Sequence, residues 1–322
     1  MMSQSSFAFK KLFIMCAMIN TILSTSAQKI NSSMPEQPGI YRMQLGDFDV
    51  IALSDGTIPL NLYTLLHDAK PGELHDLLHQ SFLDSNVETS ITAFLVRANG
   101  KLILIDAGSG SFMGSTLGKV KQNLLVAGIK PEDIDIVLPT HLHADHVGGL
   151  VDNGKMVFPN ATVYLSKPEA AFWLNDANRQ TSNKRAQPFF DGAQASVAPY
   201  QKSGKIKIFE PGTQLFPGIT SSPSFGHTPG ECFYILESKG QKMMFWGDVV
   251  HAGAVQFADP SITIDFDVDL AGAKLTRKKA FEDAVKKGYW IAAPHLSFPG
   301  IGHLKLVNNY YEWLPANYKS IF

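Results

Sequence analysis

The sequence predicts an α+β protein in which two β-sheets pack face to face and helices cover their outer faces. Short runs rich in β-branched and aromatic residues recur along the chain, and residues 134–138 are the clearest of them. Helical periodicity follows several of these runs, and this order of strands then helices occurs twice. Metal-binding side chains come directly after several predicted strands, so we expect their loops to gather along one edge of the sheets.

The composition is that of a globular protein with enough apolar residues for a large core. Of its 322 residues, 45% are hydrophobic, and the formal net charge is −1. A nearly neutral chain gives no electrostatic reason to expect nucleic acid or an anionic membrane surface as a partner, and a small-molecule substrate is expected instead. Length alone leaves one large domain or two small ones open.

The N-terminus has the pattern of a secretory signal peptide. Two lysines precede an apolar run at residues 12–23, which is followed by small residues. We therefore predict a signal peptide at residues 1–27 and a periplasmic or secreted protein, with an uncleaved membrane anchor as the alternative. Residues 28–45 are predicted as an extended arm and residues 46–322 as the folded domain.

The first half of this domain alternates predicted strands with predicted helices. Asn99-Gly100 is a strong hairpin signal between two of the strands. The strands are expected at residues 48–53, 91–96, 101–105, 134–138 and 161–165, and the helices at 115–126 and 168–175. The leucine-rich segment 60–79, which Pro71-Gly72 interrupts, is either a loop or a small helical cap packed on the core.

The second half is predicted to contain a sheet of mainly antiparallel strands. These strands are expected at residues 205–209, 219–222, 233–236, 242–246 and 289–293, with a helix at 275–287. Before them, residues 178–200 are polar and weakly patterned, which predicts a long loop that acts as a lid or pocket wall. Trp173, Phe189 and Phe190 are then candidate substrate contacts, although aromatic side chains are more often part of the core.

One stretch concentrates metal-binding side chains. Residues 140–149 read Thr-His-Leu-His-Ala-Asp-His-Val-Gly-Gly and follow a predicted strand. Neutral imidazoles and carboxylates are preferred ligands of zinc and similar divalent ions, and four of them cannot face one ion from so short a loop without strain. His141 and His143 suit one ion. Asp145 and His146 suit a neighbouring one. Ordinary surface or core histidines are the alternative.

This stretch resembles the signature of the metallo-β-lactamase superfamily of metallohydrolases. The likeness covers residues 91–303, and three further segments look like the remaining ligand loops: 226–230, 245–248 and 293–295. The final third, with 254–257 and 295–303, resembles the methyl parathion hydrolase group, whose relatives include lactonases and arylester hydrolases. The resemblance implies a four-layer αβ/βα sandwich of two mixed sheets in a single domain.

The same resemblance implies a ligand set for two divalent metal ions, of which zinc is favoured. The first ion would be bound by His141, His143 and His227, the second by Asp145, His146 and His295, and both by Asp248. Asp106 would hydrogen-bond the metal histidines rather than the metal, with a simple turn carboxylate as the alternative. His303 would be a similar partner or an alternative ligand, and a homodimer is a further expectation.

The implied ligand set predicts a hydrolase. Two adjacent ions can hold a shared hydroxide that attacks a carbonyl carbon or a phosphorus centre, with Asp248 between the ions and Asp145 or a metal-bound water protonating the leaving group. A lactone, an aryl ester or an organophosphate triester is the expected substrate. A β-lactam is disfavoured, because zinc β-lactamases lack a bridging aspartate at this point. The other alternative is a mononuclear iron dioxygenase or a metal-binding protein of the same fold.

Overall fold

Two seven-stranded sheets lie at the centre of the computed structural model, which describes residues 37–320. The strands of the first sheet are, from edge to edge, β1 (Ile40–Leu45), β2 (Phe48–Asn61), β4 (Asn86–Ala98), β5 (Lys101–Ile105), β6 (Ile136–Leu138), β9 (Thr162–Ser166) and β10 (Ile206–Phe209). The pairs from β1 to β5 are antiparallel and those from β5 to β10 are parallel. The parallel strands therefore end at the same edge of the sheet.

The second sheet is antiparallel except for one pair. Its strands are, in order, β11 (Gln214–Phe216), β12 (Ile219–Pro223), β13 (Cys232–Ser238), β14 (Gln241–Phe245), β16 (Trp290–Ala292), β17 (Ile301–Val307) and β18 (Tyr310–Pro315). β14 and β16 form the parallel pair. Both sheets are thus mixed, and this part of the sequence prediction is confirmed.

The helices connect the strands and cover the outer faces of the sheets. They are α1 (Leu62–Leu65), α2 (Glu73–Gln80), α3 (Val120–Val126), α4 (Ala144–Val147), α5 (Lys167–Trp173), α6 (Asp176–Thr181), α7 (Gln187–Lys202), α8 (Gly253–Gln256) and α9 (Leu270–Lys287), with 3-10 turns at Pro131–Asp133 and Gly148–Leu150. Two short antiparallel pairs join β3 (Leu66–His67) to β15 (Thr263–Ile264) and β7 (Val151–Asp152) to β8 (Lys155–Met156). None of the helices described between residues 37 and 320 is long and apolar enough to cross a membrane.

Apolar clusters between these elements define four layers. Inward-facing side chains of both sheets pack together, and the rings of Phe94 and Phe245 lie 5.4 Å apart across this interface. On the outer face of the first sheet, the core includes Tyr200 of α7. On the outer face of the second sheet, Phe281 of α9 stacks on Trp246 at 5.6 Å. The order helix, sheet, sheet, helix is the predicted αβ/βα sandwich.

The prediction of a long loop at residues 178–200 is wrong, because α6 and α7 occupy most of this segment. α7 buries an apolar stripe against the first sheet: Phe190, Ala193, Val197 and Tyr200. The stripe has helical spacing, which favours a helix once a sheet is available to cover it. Gly192 and Pro199 lie inside the same helix. Both residue types have low helix propensity, and they obscured the pattern in the sequence.

Several other boundaries also differ from the predicted ones. β2 continues past residue 53, because its ladder with β4 resumes after a bulge between Ser54 and Gly56. α3 begins at Val120, later than predicted, after Gly118 adopts a φ of +85° that favours glycine. β1 occupies residues 40–45, which were predicted as the end of the arm, and pairs with β2. The N-terminal arm is therefore shorter than predicted in the described residues.

The segment 60–79 forms the helical cap that the sequence allowed. α1, β3 and α2 place Leu62, Leu66 and Leu78 in a small core with Val255. The predicted signal peptide at residues 1–27 lies outside the described residues. The cellular location and the homodimer stay predictions.

Candidate metal centre

The loop after β6 carries four of the predicted ligands into one place. His141 and His143 lie on the loop itself. α4 follows at once and carries Asp145 and His146 in a single helical turn. Gly149 lets this turn pack closely, because an added Cβ there would lie 2.0 Å from a backbone oxygen just after β5. A short helix held against the first sheet thus fixes the direction of these side chains.

The remaining three ligands arrive from the second sheet. His227 lies between β12 and β13, Asp248 follows β14, and His295 follows β16. The structure brings all seven predicted ligands together in two groups, within each of which one atom per residue lies within 4.8 Å of the others. The first ligand group consists of His141, His143, His227 and Asp248. The second ligand group consists of Asp145, His146, Asp248 and His295.

Asp248 belongs to both groups and lies between them. Its Oδ2 atom is 3.2 Å from Nε2 of His227 and 3.6 Å from Nε2 of His141. Its Oδ1 atom is 3.1 Å from the Nε2 atoms of both His146 and His295. Each carboxylate oxygen therefore faces a different ligand group, which is the geometry by which one carboxylate can contact two metal ions.

Several ligand atoms are buried without a hydrogen-bond partner among the residues that the structure describes. They are the Nε2 atoms of His141, His146 and His295, and Oδ1 of Asp248. A buried polar atom without a partner is costly, and native proteins rarely contain several of them in one place. Imidazole nitrogens and a carboxylate that converge in this way have the chemistry of a divalent metal site. The residues present therefore fit metal ions.

In three of the five ligand histidines, the Nδ1 atom has a fixed carboxylate or backbone partner. Nδ1 of His146 lies 2.9 Å from Oδ2 of Asp106, which has the role expected of it from the sequence. Nδ1 of His227 lies 2.9 Å from Oδ1 of Asp267. Nδ1 of His295 lies 3.0 Å from the backbone oxygen of Ser90. A histidine that donates from Nδ1 keeps Nε2 free as a ligand, so these contacts select the required tautomer.

Burial and neighbouring charges set the protonation of the site. Burial lowers the pKa of His141 and of His143 well below the usual value, which favours the neutral form that binds metals. Burial opposes ionisation of Asp248, but the surrounding histidines, above all His146, hold its pKa well below the usual value. Burial raises the pKa of Glu231 to about 8, and its Oε1 accepts a 2.7 Å hydrogen bond from the backbone N–H of Asp248.

Sequence reasoning missed His251 and Asp267, which lie at the centre. His251 is buried, its Nε2 lies 3.0 Å from Oδ2 of Asp248, and its ring stacks on His295 at 4.9 Å. Asp267 holds His227, as described above. His251 follows Asp248 by three residues, and that spacing on the loop after a strand was a signal for its place here. Asp267 lies 40 residues from its partner and gave no local signal.

His303 does not belong to the centre, contrary to one of the predictions. Its Nδ1 atom lies 3.0 Å from the backbone oxygen of Tyr289, and its ring packs on Trp290 at 3.9 Å. β17 runs antiparallel to β16, so it carries His303 back along β16 and away from the end that bears His295. His303 is in neither ligand group.

A narrow cavity of about 70 Å³, the central chamber, reaches both ligand groups. Its apolar wall consists of Ile58, Leu60, Ile91, Met113, Phe189 and Phe266. Phe189 lies 4.9 Å from the ring of His143, and its role as a substrate contact stays a prediction. Trp173 and Phe190 are only 2% and 1% exposed and belong to the core, and they reach a neighbouring cavity of about 340 Å³ instead.

The fold and the two ligand groups agree with a family match. Residues 87–294 match the model of the metallo-β-lactamase superfamily. The chain belongs to this superfamily. Among solved structures of superfamily members, the chain is similar to the hydrolase AbOPH, with a TM-score of 0.85 and 40% identity over 89% of this chain and 100% of that one.

Two further proteins to which the chain is similar carry the names of different activities. AidC, a dizinc quorum-quenching lactonase solved with the product N-hexanoyl-L-homoserine, has a TM-score of 0.81 and 29% identity over 88% of this chain and 99% of that one. A ribonuclease of Thermus thermophilus is 29% identical over 192 residues, which are 57% of this chain and 41% of the ribonuclease. The chain therefore spans less than half the length of that relative.

Proposed function

We propose that this protein is a hydrolase with two divalent metal ions, of which zinc is favoured, and that it cleaves a lactone or an ester. Activity on an organophosphate triester is part of the same proposal. The observation that carries it is the placement of Asp248, whose two oxygens face different ligand groups. A single-ion protein has no need for a second group of ligands on the other side of that carboxylate.

When bound, the two ions supply a hydroxide at neutral pH and stabilise the negative charge that develops on the substrate oxygen. The protein's own residues supply the rest. Asp145 lines the central chamber, its side chain is 16% exposed, and its Oδ2 lies 3.5 Å from the Nε2 atoms of His146 and His295. From this position the ionised carboxylate of Asp145 can take a proton from the attacking water and pass it to the leaving group. Asp248 is buried and links the two ligand groups, because it belongs to both.

The chamber favours a neutral substrate. Among the described residues that line it, none is lysine or arginine, and the walls are mainly aliphatic and aromatic. Phe189 and Phe266 exclude water and offer apolar contact to an acyl or aryl group. The phosphate backbone of RNA would require cationic contacts, which this lining does not offer. Similarity to the lactonase AidC supports a lactone as the first substrate to test.

A substrate panel tests this proposal. Purified, metal-loaded protein would be assayed with an acyl-homoserine lactone, an aryl lactone, methyl parathion, nitrocefin and a short single-stranded RNA. We expect turnover of a lactone or of the triester, and we expect Asp248→Ala to abolish it. Cleavage of nitrocefin alone or of RNA alone would contradict the proposed substrate class. Turnover that persists in Asp248→Ala would contradict the role of the shared carboxylate.

A further inference from the structure

A second buried carboxylate lies next to the metal centre without belonging to either ligand group. Glu169, on the first turn of α5, is 2% exposed. Its Oε1 accepts a hydrogen bond of 2.9 Å from the backbone N–H of Leu142. Its Oε2 accepts one of 2.7 Å from the hydroxyl of Thr228 and one of 2.9 Å from the backbone N–H of Gly230. We call Glu169 and these three donors the Glu169 clamp.

The donors of the clamp lie on the two loops that supply the histidines of the first ligand group. Leu142 stands between His141 and His143, and Thr228 directly follows His227. One side chain from α5 thus bonds a loop that leaves the first sheet and a loop that belongs to the second sheet. The Glu169 clamp therefore fixes the distance between these loops.

α5 is held tightly against the second of these loops. The hydroxyl of Ser166, which caps α5, donates a 2.5 Å hydrogen bond to the backbone oxygen of Gly230. A Cβ added to Gly230 would lie 2.0 Å from the backbone nitrogen of Glu169. Glycine at this position permits the close approach that the three hydrogen bonds of Glu169 require. The loop that contains Gly230 is therefore packed tightly against α5.

The clamp needs a carboxylate rather than another polar group. All three partners donate, and an ionised carboxylate accepts on both oxygens. A glutamine would turn an NH₂ group toward at least one donor and lose that bond. A buried charge with no partner is disfavoured, so burial of Glu169 makes sense only with these donors in place.

We propose that Glu169 is a positioning residue for the first ligand group and that it sets the metal affinity of that group without touching the ion. The proposal rests on the metal binding put forward under the proposed function, and it does not depend on which substrate is cleaved. A general role in core stability would weaken both ligand groups alike or neither. A positioning role weakens the first group alone, because no donor of the clamp lies next to the ligands from β16 or α4.

The test is a titration of the metal-free, full-length protein with Co²⁺, followed by visible absorption and by competition with a chromophoric chelator. Glu169→Gln is compared with Glu210→Gln, which makes the same charge change at an exposed residue that pairs with Lys167 at the start of α5. His143→Ala and His295→Ala provide reference spectra for damage to the first and the second ligand group. We expect Glu169→Gln to weaken one of two Co²⁺ sites by about 10- to 100-fold and to resemble His143→Ala. Glu210→Gln should match the wild type.

The possible results distinguish a failure of the inference from a failure of the proposed function. If Glu169→Gln binds Co²⁺ at both sites with the affinities of the wild type, the inference is overturned and the proposed function stands. A spectral change that resembles that of His295→Ala would have the same meaning. Absence of Co²⁺ binding in the wild type would overturn both. If Glu169→Gln does not fold, Thr228→Val removes one donor and keeps the carboxylate. It should weaken the same site by a smaller factor, and equal effects on both sites would contradict the clamp.

Discussion

The two ligand groups share Asp248 but differ in how the protein encloses them. The first ligand group is buried throughout and is held from outside by Asp267 and the Glu169 clamp. The second ligand group includes the partly exposed Asp145 and is held by Asp106 and the backbone of Ser90. We infer that the more enclosed first group retains its ion more firmly than the second group does.

The largest expected effect comes from the residue that the two groups share. Asp248→Ala removes a ligand atom from each group, so we expect it to weaken binding of both ions by more than about 100-fold. Metal content after dialysis, measured by plasma mass spectrometry, checks this. Asp152→Ala, at an exposed carboxylate, is the matched control. A variant that kept one ion at full affinity would show that Asp248 serves a single group.

A pair of substitutions separates the two groups. Asp106→Asn disturbs the partner of His146 and should weaken the second ligand group, whereas Asp267→Asn disturbs the partner of His227 and should weaken the first. Loss of such a hydrogen-bonding partner typically costs about 10- to 100-fold in metal affinity. Chelator competition on both variants measures the two affinities. The same pattern in both variants would remove the distinction between the groups.

Phe189 tests the contact between the substrate and the central chamber, which reaches both ligand groups. Its ring lies against His143 and lines the central chamber, so Phe189→Ala removes apolar contact without removing a ligand. Burial of a phenylalanine side chain contributes about 1.5–3 kcal/mol, so we expect KM for an apolar substrate to rise by about 10-fold or more. Metal content should stay at the wild-type level. Phe82→Ala, at a side chain that is 98% exposed, should leave KM unchanged.

Glu231, whose Oε1 accepts a hydrogen bond from the backbone N–H of Asp248, gives a prediction about stability rather than about metal binding. Burial raises its pKa to about 8, so the folded, metal-free protein binds this proton more tightly than the unfolded chain does. The resulting stabilisation is complete below the unfolded pKa and is lost as pH rises toward 8. Glu231→Gln has no titratable proton and stays neutral over the whole pH range. Between the unfolded pKa and pH 8, the free energy of unfolding of the wild type should therefore fall with rising pH relative to that of this variant. Chemical denaturation at several pH values measures it, and parallel curves would refute it.

The sequence predicts those parts of the centre whose chemistry is local. The ligands from residues 140–149 stand within one short stretch, and the spacing of imidazoles and carboxylate identifies them. Asp267 and Glu169 escape prediction because their partners lie 40 and 27 or more residues away, and only the folded chain brings them together. His303 was misplaced for the same reason, since the reversal of β17 is not visible in the spacing.

The fold shows a similar division. The positions of many strands follow from apolar runs in the sequence, and the face-to-face sheets follow from those runs and from the resemblance to the superfamily. The helix α7 was missed, because Gly192 and Pro199 weaken the local helical signal while the first sheet, through tertiary packing, stabilises the helix. In α7, packing against the first sheet outweighs the low helix propensity of these two residues.

The number and identity of metal ions in the purified protein test the central claim most directly. Protein purified without added metal would be analysed by plasma mass spectrometry, alongside an acyl-homoserine lactone hydrolysis assay on the same sample. We predict two divalent ions per chain and lactone turnover that disappears with chelation and returns with Zn²⁺. A single iron per chain, with no hydrolysis, would contradict the account and favour an iron-dependent oxygenase of the same fold.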